Sequence, residues 1–164
     1  MNISIKLFAL SALVLSASCG GGSDPAALIG EGTAAMASSD YETAASKFES
    51  AIAGLDAGST DHLKASLGRC RALAHTDAAK AKTEFLQLVE GGKVIYTHYN
   101  QMTVAFAGAG AWNEAIEVLT VGKEKLPEEK KMEQLVAKVG DQAKNSGASS
   151  EAMKALEGLG YVGN

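Results

Sequence analysis

Apolar positions in this chain return at intervals of three and four residues, the period of helices with one buried face. Strand patterning is thin: the one β-branched and aromatic cluster, Val94-Ile95-Tyr96-Thr97, runs on into the helix-spaced series Tyr99, Met102, Phe106. Turn and cap chemistry at Ser38-Ser39-Asp40, Asp56-Ala57-Gly58-Ser59, His75-Thr76-Asp77, Gly91-Gly92, Gly108-Ala109-Gly110, Leu126-Pro127 and Asn145-Ser146-Gly147 divides the pattern. The helices predicted between these breaks cover 25–38, 41–55, 60–75, 77–90, 93–109, 112–125, 128–145 and 150–158. Both prolines fall at predicted helix starts, Pro25 behind Asp24 and Pro127 ahead of Glu128-Glu129, and Ser39 with Glu42 fits a capping box. The fold class expected from residue 25 onward is all-α.

The first residues follow a different pattern. Lys6 precedes the uncharged run Leu7 to Leu15, and Ser16-Ala17-Ser18 lead to Cys19. One basic residue, a short apolar stretch and small residues before a cut site make a secretory signal peptide over 1–18. The run is about half of what a bilayer-spanning helix requires. The junction resembles the lipobox of bacterial lipoproteins, with Ser16 where Leu is commoner. That resemblance implies that Cys19 is alkylated with diacylglycerol and becomes the first mature residue, so the expected covalent group is a lipid at Cys19. Two or three acyl chains hold a protein at a membrane without any spanning helix. Gly20-Gly21-Gly22-Ser23 offers little to pack and reads as a tether over 19–24. In enterobacterial lipoproteins Asp directly after the cysteine favours the inner membrane; Gly20 there implies the outer membrane, facing the periplasm of a Gram-negative host.

Charge and cysteine content narrow the classes further. The chain carries 15 Lys and Arg against 19 Asp and Glu, for a net charge of -4, a balance that argues against nucleic acid as a partner, since that needs a clustered basic face. With Cys19 lipidated, Cys70 has no intramolecular partner and reads as a small buried apolar group. One domain, 25–160, is expected, with 161–164 as a tail.

Within that domain the second helix of each pair carries a small residue, a large apolar one four positions on and a further apolar or small one after three more. The series are Ala44, Phe48, Ala51; Ala81, Phe85, Leu88; Ala115, Leu119, Gly122; and Ala152, Leu156, Leu159, whose small residues stand 37, 34 and 37 positions apart. With Gly32 and Tyr41 in the first unit, and Gly110, Trp112 and Pro127 in the third, this resembles the tetratricopeptide repeat, a helical hairpin of about 34 residues. The resemblance covers 25–129 and implies a right-handed solenoid of antiparallel hairpins, about three repeats followed by a degenerate capping pair. In the second repeat Gly68 falls one position early and Arg69 takes the usual small site, which leaves the register of that helix open by one or two residues. Small residues let two helices approach, while Phe48, Phe85 and Leu119 fill the gap to the next hairpin.

No constellation for catalysis emerges. His62, His75 and His98 have no metal-ligand spacing, and neither a Gly-x-Ser-x-Gly elbow nor a phosphate-binding Gly-rich loop occurs. No enzyme activity, metal or further cofactor is expected. Because repeats of this kind bind along the first helix of each hairpin, the resemblance implies Thr33, Met36, Ser66, Arg69, Cys70, Asn100 and Val104 as groove residues, mostly small or neutral. The function expected is a membrane-anchored scaffold that binds another envelope protein or peptide. The alternative is a structural subunit of an envelope or outer-membrane assembly or secretion complex, and a small-molecule binding protein or enzyme comes third. The tail from Leu156 to Val162 either folds back over the last hairpin, the favoured reading, or docks on a partner.

Overall fold

The computed structural model describes residues 24–163 and contains eight α-helices, with no strand among the described residues. They are α1 (Pro25–Ala37), α2 (Tyr41–Ala53), α3 (Thr60–Leu73), α4 (Ala78–Glu90), α5 (Tyr96–Gly108), α6 (Trp112–Lys125), α7 (Lys131–Asn145) and α8 (Ser150–Gly158). The all-α expectation therefore holds. The signal segment, Cys19 and the tether up to Ser23 lie outside the described residues, as does Asn164.

Short polar side chains begin the helices. Carboxylate or hydroxyl oxygens of Asp24, Asp40, Ser59, Asp77 and Ser149 accept hydrogen bonds from backbone N–H groups in the first turns of α1, α2, α3, α4 and α8. The capping box expected at Ser39 is not formed. α2 starts one residue later than that box requires, so Asp40 caps it through Thr43 N, and Ser39 sits in the turn with φ 61°.

Two helices also start later than expected. Lys93, Val94 and Ile95 stay outside α5, which begins at Tyr96 once the extended Ile95 has passed. Pro127, Glu128 and Glu129 form a turn ahead of α7 rather than its first turn, with Glu129 N–H donating to the Leu126 carbonyl.

One turn geometry recurs. The N–H of Asp40 donates to the carbonyl of Ala35, that of Ala111 to Phe106, that of Ala148 to Ala143 and that of Tyr161 to Leu156. Each six-residue closure follows a residue with positive φ: Ser39, Gly110, Gly147 and Gly160. These are Schellman-type ends, which satisfy orphan carbonyls and reverse the chain.

Each helix touches its hairpin partner and, in most cases, the next helix but one: α1 meets α2 and α3, α3 meets α2, α4 and α5, and α5 meets α6 and α7. α6 meets α4, α7 and α8. Ala44, Ala51, Ala81 and Ala115 are wholly buried, with Phe48, Phe85, Leu119, Gly122, Ala152 and Leu156 also in the interior. In α4 the third buried position is Val89, and Leu88 is only partly covered, because Ala81, Phe85 and Val89 follow a straight four-residue ridge. Trp112 is partly buried against the main core, and Gly110 is exposed in its turn.

The interior divides into two apolar clusters that α3 serves from different faces. Ala65 and Ala72 join the first, with Leu28, Ile29, Ala44, Phe48 and Ala51. Leu67, Cys70, Leu73 and Ala74 join the second, which runs through α4 to α8 and ends at Tyr161. Tyr161 covers the small surface left by Gly140 and donates its hydroxyl to Asp141, while Lys123 Nζ donates to the Leu159 carbonyl. The tail thus folds back through Tyr161, leaving Val162 85% exposed.

Candidate functional site

A groove of about 520 Å³ lies across α1, α3 and α5. α1 lends Ile29 and Thr33, and α5 lends Thr97, His98 and Gln101. α3 forms the middle with Thr60, Leu63, Lys64, Leu67, Gly68 and Arg71, a series at helical spacing that puts one side of α3 along the groove. Phe48 reaches in from α2 between Gly32 and Gly68, two positions whose missing side chains make room for its ring.

The groove combines an apolar floor with basic and neutral hydrogen-bonding groups. Its charged lining is Lys64 and Arg71, and no carboxylate lines it. Neither cation forms an ion pair with a described residue. At His98, Nδ1 accepts the Ile95 N–H at 3.3 Å, which puts the proton of the neutral ring on Nε2. Burial lowers the pKa of His98, favouring that neutral form. Thr33 donates its hydroxyl to the Ile29 carbonyl one turn back on α1, which holds the side chain against its own helix at the groove.

The structure separates the seven residues expected in a groove. Thr33 lines it, and Met36 lines an adjoining depression of about 260 Å³ together with Thr33, Gly68 and Arg71. Ser66, Arg69 and Cys70 occupy another side of α3, in a depression of about 200 Å³ shared with Ile52, Glu84, Gln87 and Leu88. Asn100 is partly buried and Val104 is 36% exposed; neither lines the main groove.

Helix phase explains the difference on α3. Its small groove-side position is Gly68, not the neighbouring Arg69, so the face turns toward Lys64 and Arg71. Anchoring the alignment on Gly68 would have exposed the series Thr60, Lys64, Leu67, Arg71. Arg69 instead reaches two acids, with Nη1 3.1 Å from Glu84 and Nη2 3.5 Å from Glu49, tying α3 to α4 and α2.

Cys70 is 1% exposed, and its pKa is pushed up to about 12 by burial first and then by Glu84, with Arg69 acting weakly in the opposite direction. The thiol is therefore held protonated, unsuited to nucleophilic or redox chemistry. Among the described residues no group of three or more His, Cys, Asp or Glu is arranged to hold a metal ion, and no helix is long and apolar enough to cross a membrane. Comparison with protein-family models, with curated proteins and with solved structures returned no match.

Proposed function

We propose that this chain is a lipid-anchored scaffold of tetratricopeptide type, in which three successive hairpins and a capping pair form a right-handed solenoid. It holds another envelope protein or peptide along α1, α3 and α5. The observation that supports this reading is that one groove takes its walls from the first helix of each of three consecutive hairpins. An open trough of that kind suits an elongated partner more than a compact substrate. The recurring turns and the next-but-one helix contacts support the repeat reading.

Attachment in this proposal is through acyl chains on Cys19, on the periplasmic face of the outer membrane where the host is Gram-negative. In this proposal the groove serves binding, in keeping with its apolar floor and open lining. The reading is tested with full-length protein in a bacterial envelope, carrying a photocrosslinking residue at Gln101. A discrete crosslinked partner, acylated mature N-terminal peptide by mass spectrometry and release from the membrane by Cys19→Ser are the expected results. An unmodified soluble chain ends the anchor proposal, and absence of any Gln101 crosslink ends the groove proposal.

Exposed Val162, next to the anchored Tyr161, favours one second reading, a permanent subunit contact through the tail. A stoichiometric, salt-resistant partner crosslinked from position 162 and not from 101 distinguishes it.

A further inference from the structure

We infer that the groove's occupant is a peptide segment of a partner protein that presents carboxylates beside apolar side chains. This rests on the scaffold reading above and specifies the chemistry of the partner.

The inference comes from the charge of the groove's lining. Lys47 pairs with Glu31, Arg69 with Glu49 and Glu84, Lys82 with Glu117, and Lys125 with Glu90. Lys64 and Arg71 form no ion pair with a described residue, as holds for other lysines such as Lys80 and Lys138 on the outer surface. What sets these two apart is that both line the groove, where no acid accompanies them. They are seven residues apart on α3, so their Cα atoms stand about 10 Å apart along the helix axis, near one side of it. Two positive groups on the groove's middle helix, with no carboxylate in the lining to neutralise them, attract an acceptor-rich ligand.

The neutral groups agree with that polarity. Nε2 of His98 carries a proton because Nδ1 already accepts the Ile95 N–H, so the ring offers a donor. Thr60 and Thr97 hydroxyls and the Gln101 amide add donors that can meet carboxylate or peptide carbonyl oxygens. Between the two cations Leu67 and Gly68 continue the apolar floor with Ile29 and Leu63, which calls for apolar side chains in the same segment. The net charge of -4 repels acidic peptides from most of the surface, so a preference for them must arise locally.

The test uses full-length protein in detergent micelles and three fluorescein-labelled nonapeptide pools. Each pool mixes Leu, Ile and Ala with a different polar set: Asp and Glu, Asn and Gln, or Lys and Arg. Fluorescence anisotropy is expected to show the acidic pool bound at least about tenfold more tightly than the amide pool, weakening as salt is raised. The pair Lys64→Glu and Arg71→Glu is expected to abolish that preference, and Lys64→Gln or Arg71→Gln alone to reduce it. The exposed pair Lys80→Glu and Lys138→Glu, outside the groove lining, serves as the matched charge control and leaves it unchanged. Circular dichroism melts check that each variant folds; if the double reversal does not, the single neutral variants decide. Equal binding of the acidic and amide pools, or preference for the basic pool, overturns the acidic specificity while leaving the scaffold reading intact. No binding by any pool, with a Gln101 crosslink still formed in the envelope, overturns this inference alone. No binding together with no crosslink removes both.

Discussion

The ring of Phe48 lies against the backbone of Gly68 so closely that a Cβ on the glycine would fall 2.6 Å from Cζ, and a Cβ on Gly32 would meet the same ring at 3.0 Å. One aromatic side chain thus spaces α1 from α3 and closes the bottom of the groove. Gly68→Ala is expected to cost about 1–3 kcal/mol, because Gly32 limits how far the ring can retreat. Gly30→Ala, with nothing within 4 Å of the added methyl, is expected to stabilise α1 by about 0.5–1 kcal/mol. Chemical denaturation of both variants checks the contrast, and Phe48→Leu combined with Gly68→Ala should be less destabilising than the sum of the two changes.

Ser39 holds φ at 61°, where glycine occupies the corresponding turns at Gly110, Gly147 and Gly160. Ser39→Gly removes the Cβ penalty of that conformation and should raise stability by about 0.5–1 kcal/mol after the entropy lost by the freer unfolded chain is subtracted. A lower melting temperature would show that the serine side chain contributes more than its backbone strain costs.

Arg69 joins Glu84 and Glu49 from a side of α3 that does not line the main groove. Its side chain is 19% exposed and Glu84 22%, whereas Glu49 is 66% exposed, so the Glu84 contact carries most of the coupling. Arg69→Ala should cost about 1 kcal/mol after solvent screening and leave peptide capture unchanged. A double-mutant cycle with Glu84→Gln measures the pair directly, and loss of capture without loss of stability would return Arg69 to the binding surface.

Cys70 should resist alkylation. With its pKa pushed up to about 12, the thiolate is scarce at neutral pH, and burial blocks the reagent as well. In a Cys19→Ser background, iodoacetamide labelling should follow the rate of opening and become fast in denaturant. Rapid labelling of the folded protein contradicts this burial.

Two partly buried imidazoles predict a loss of stability in mild acid. Burial lowers the pKa of both His75 and His98 below the ordinary 6.5, so the unfolded chain takes up protons first as pH falls. Their contribution is complete above about pH 6.5 and is lost as pH falls through the lower folded values. Protonation of Nδ1 also removes the acceptor for Ile95 N–H. The melting temperature should fall between about pH 7 and 5, with a shallower slope in His98→Asn, whose amide oxygen can accept that N–H. An unchanged slope assigns the dependence to other groups.

The eight helices and their order were legible in the sequence because apolar spacing, short polar caps and turn residues are local signals. The burial of Ala44, Phe48, Ala81, Phe85, Ala115 and Leu119 follows from the same spacing. Late starts at α5 and α7 escaped that reading, since a few extended or turn residues before a helix resemble its first turn in composition. Only the tertiary structure decided which side of α3 faces the groove. Arg69 and Arg71 are both basic and lie two positions apart on one helix, about 200° apart around its axis, so each points to a different neighbour. The wedge of Phe48 between Gly32 and Gly68 sets that rotation, turning Arg69 toward the acids of α2 and α4 and Arg71 into the groove. A helix's rotation about its own axis is fixed by contacts with distant segments. Gly68 marks a close-approach position in the sequence, but only the ring of Phe48 packed against it decides that this position, and not Arg69, takes the small site.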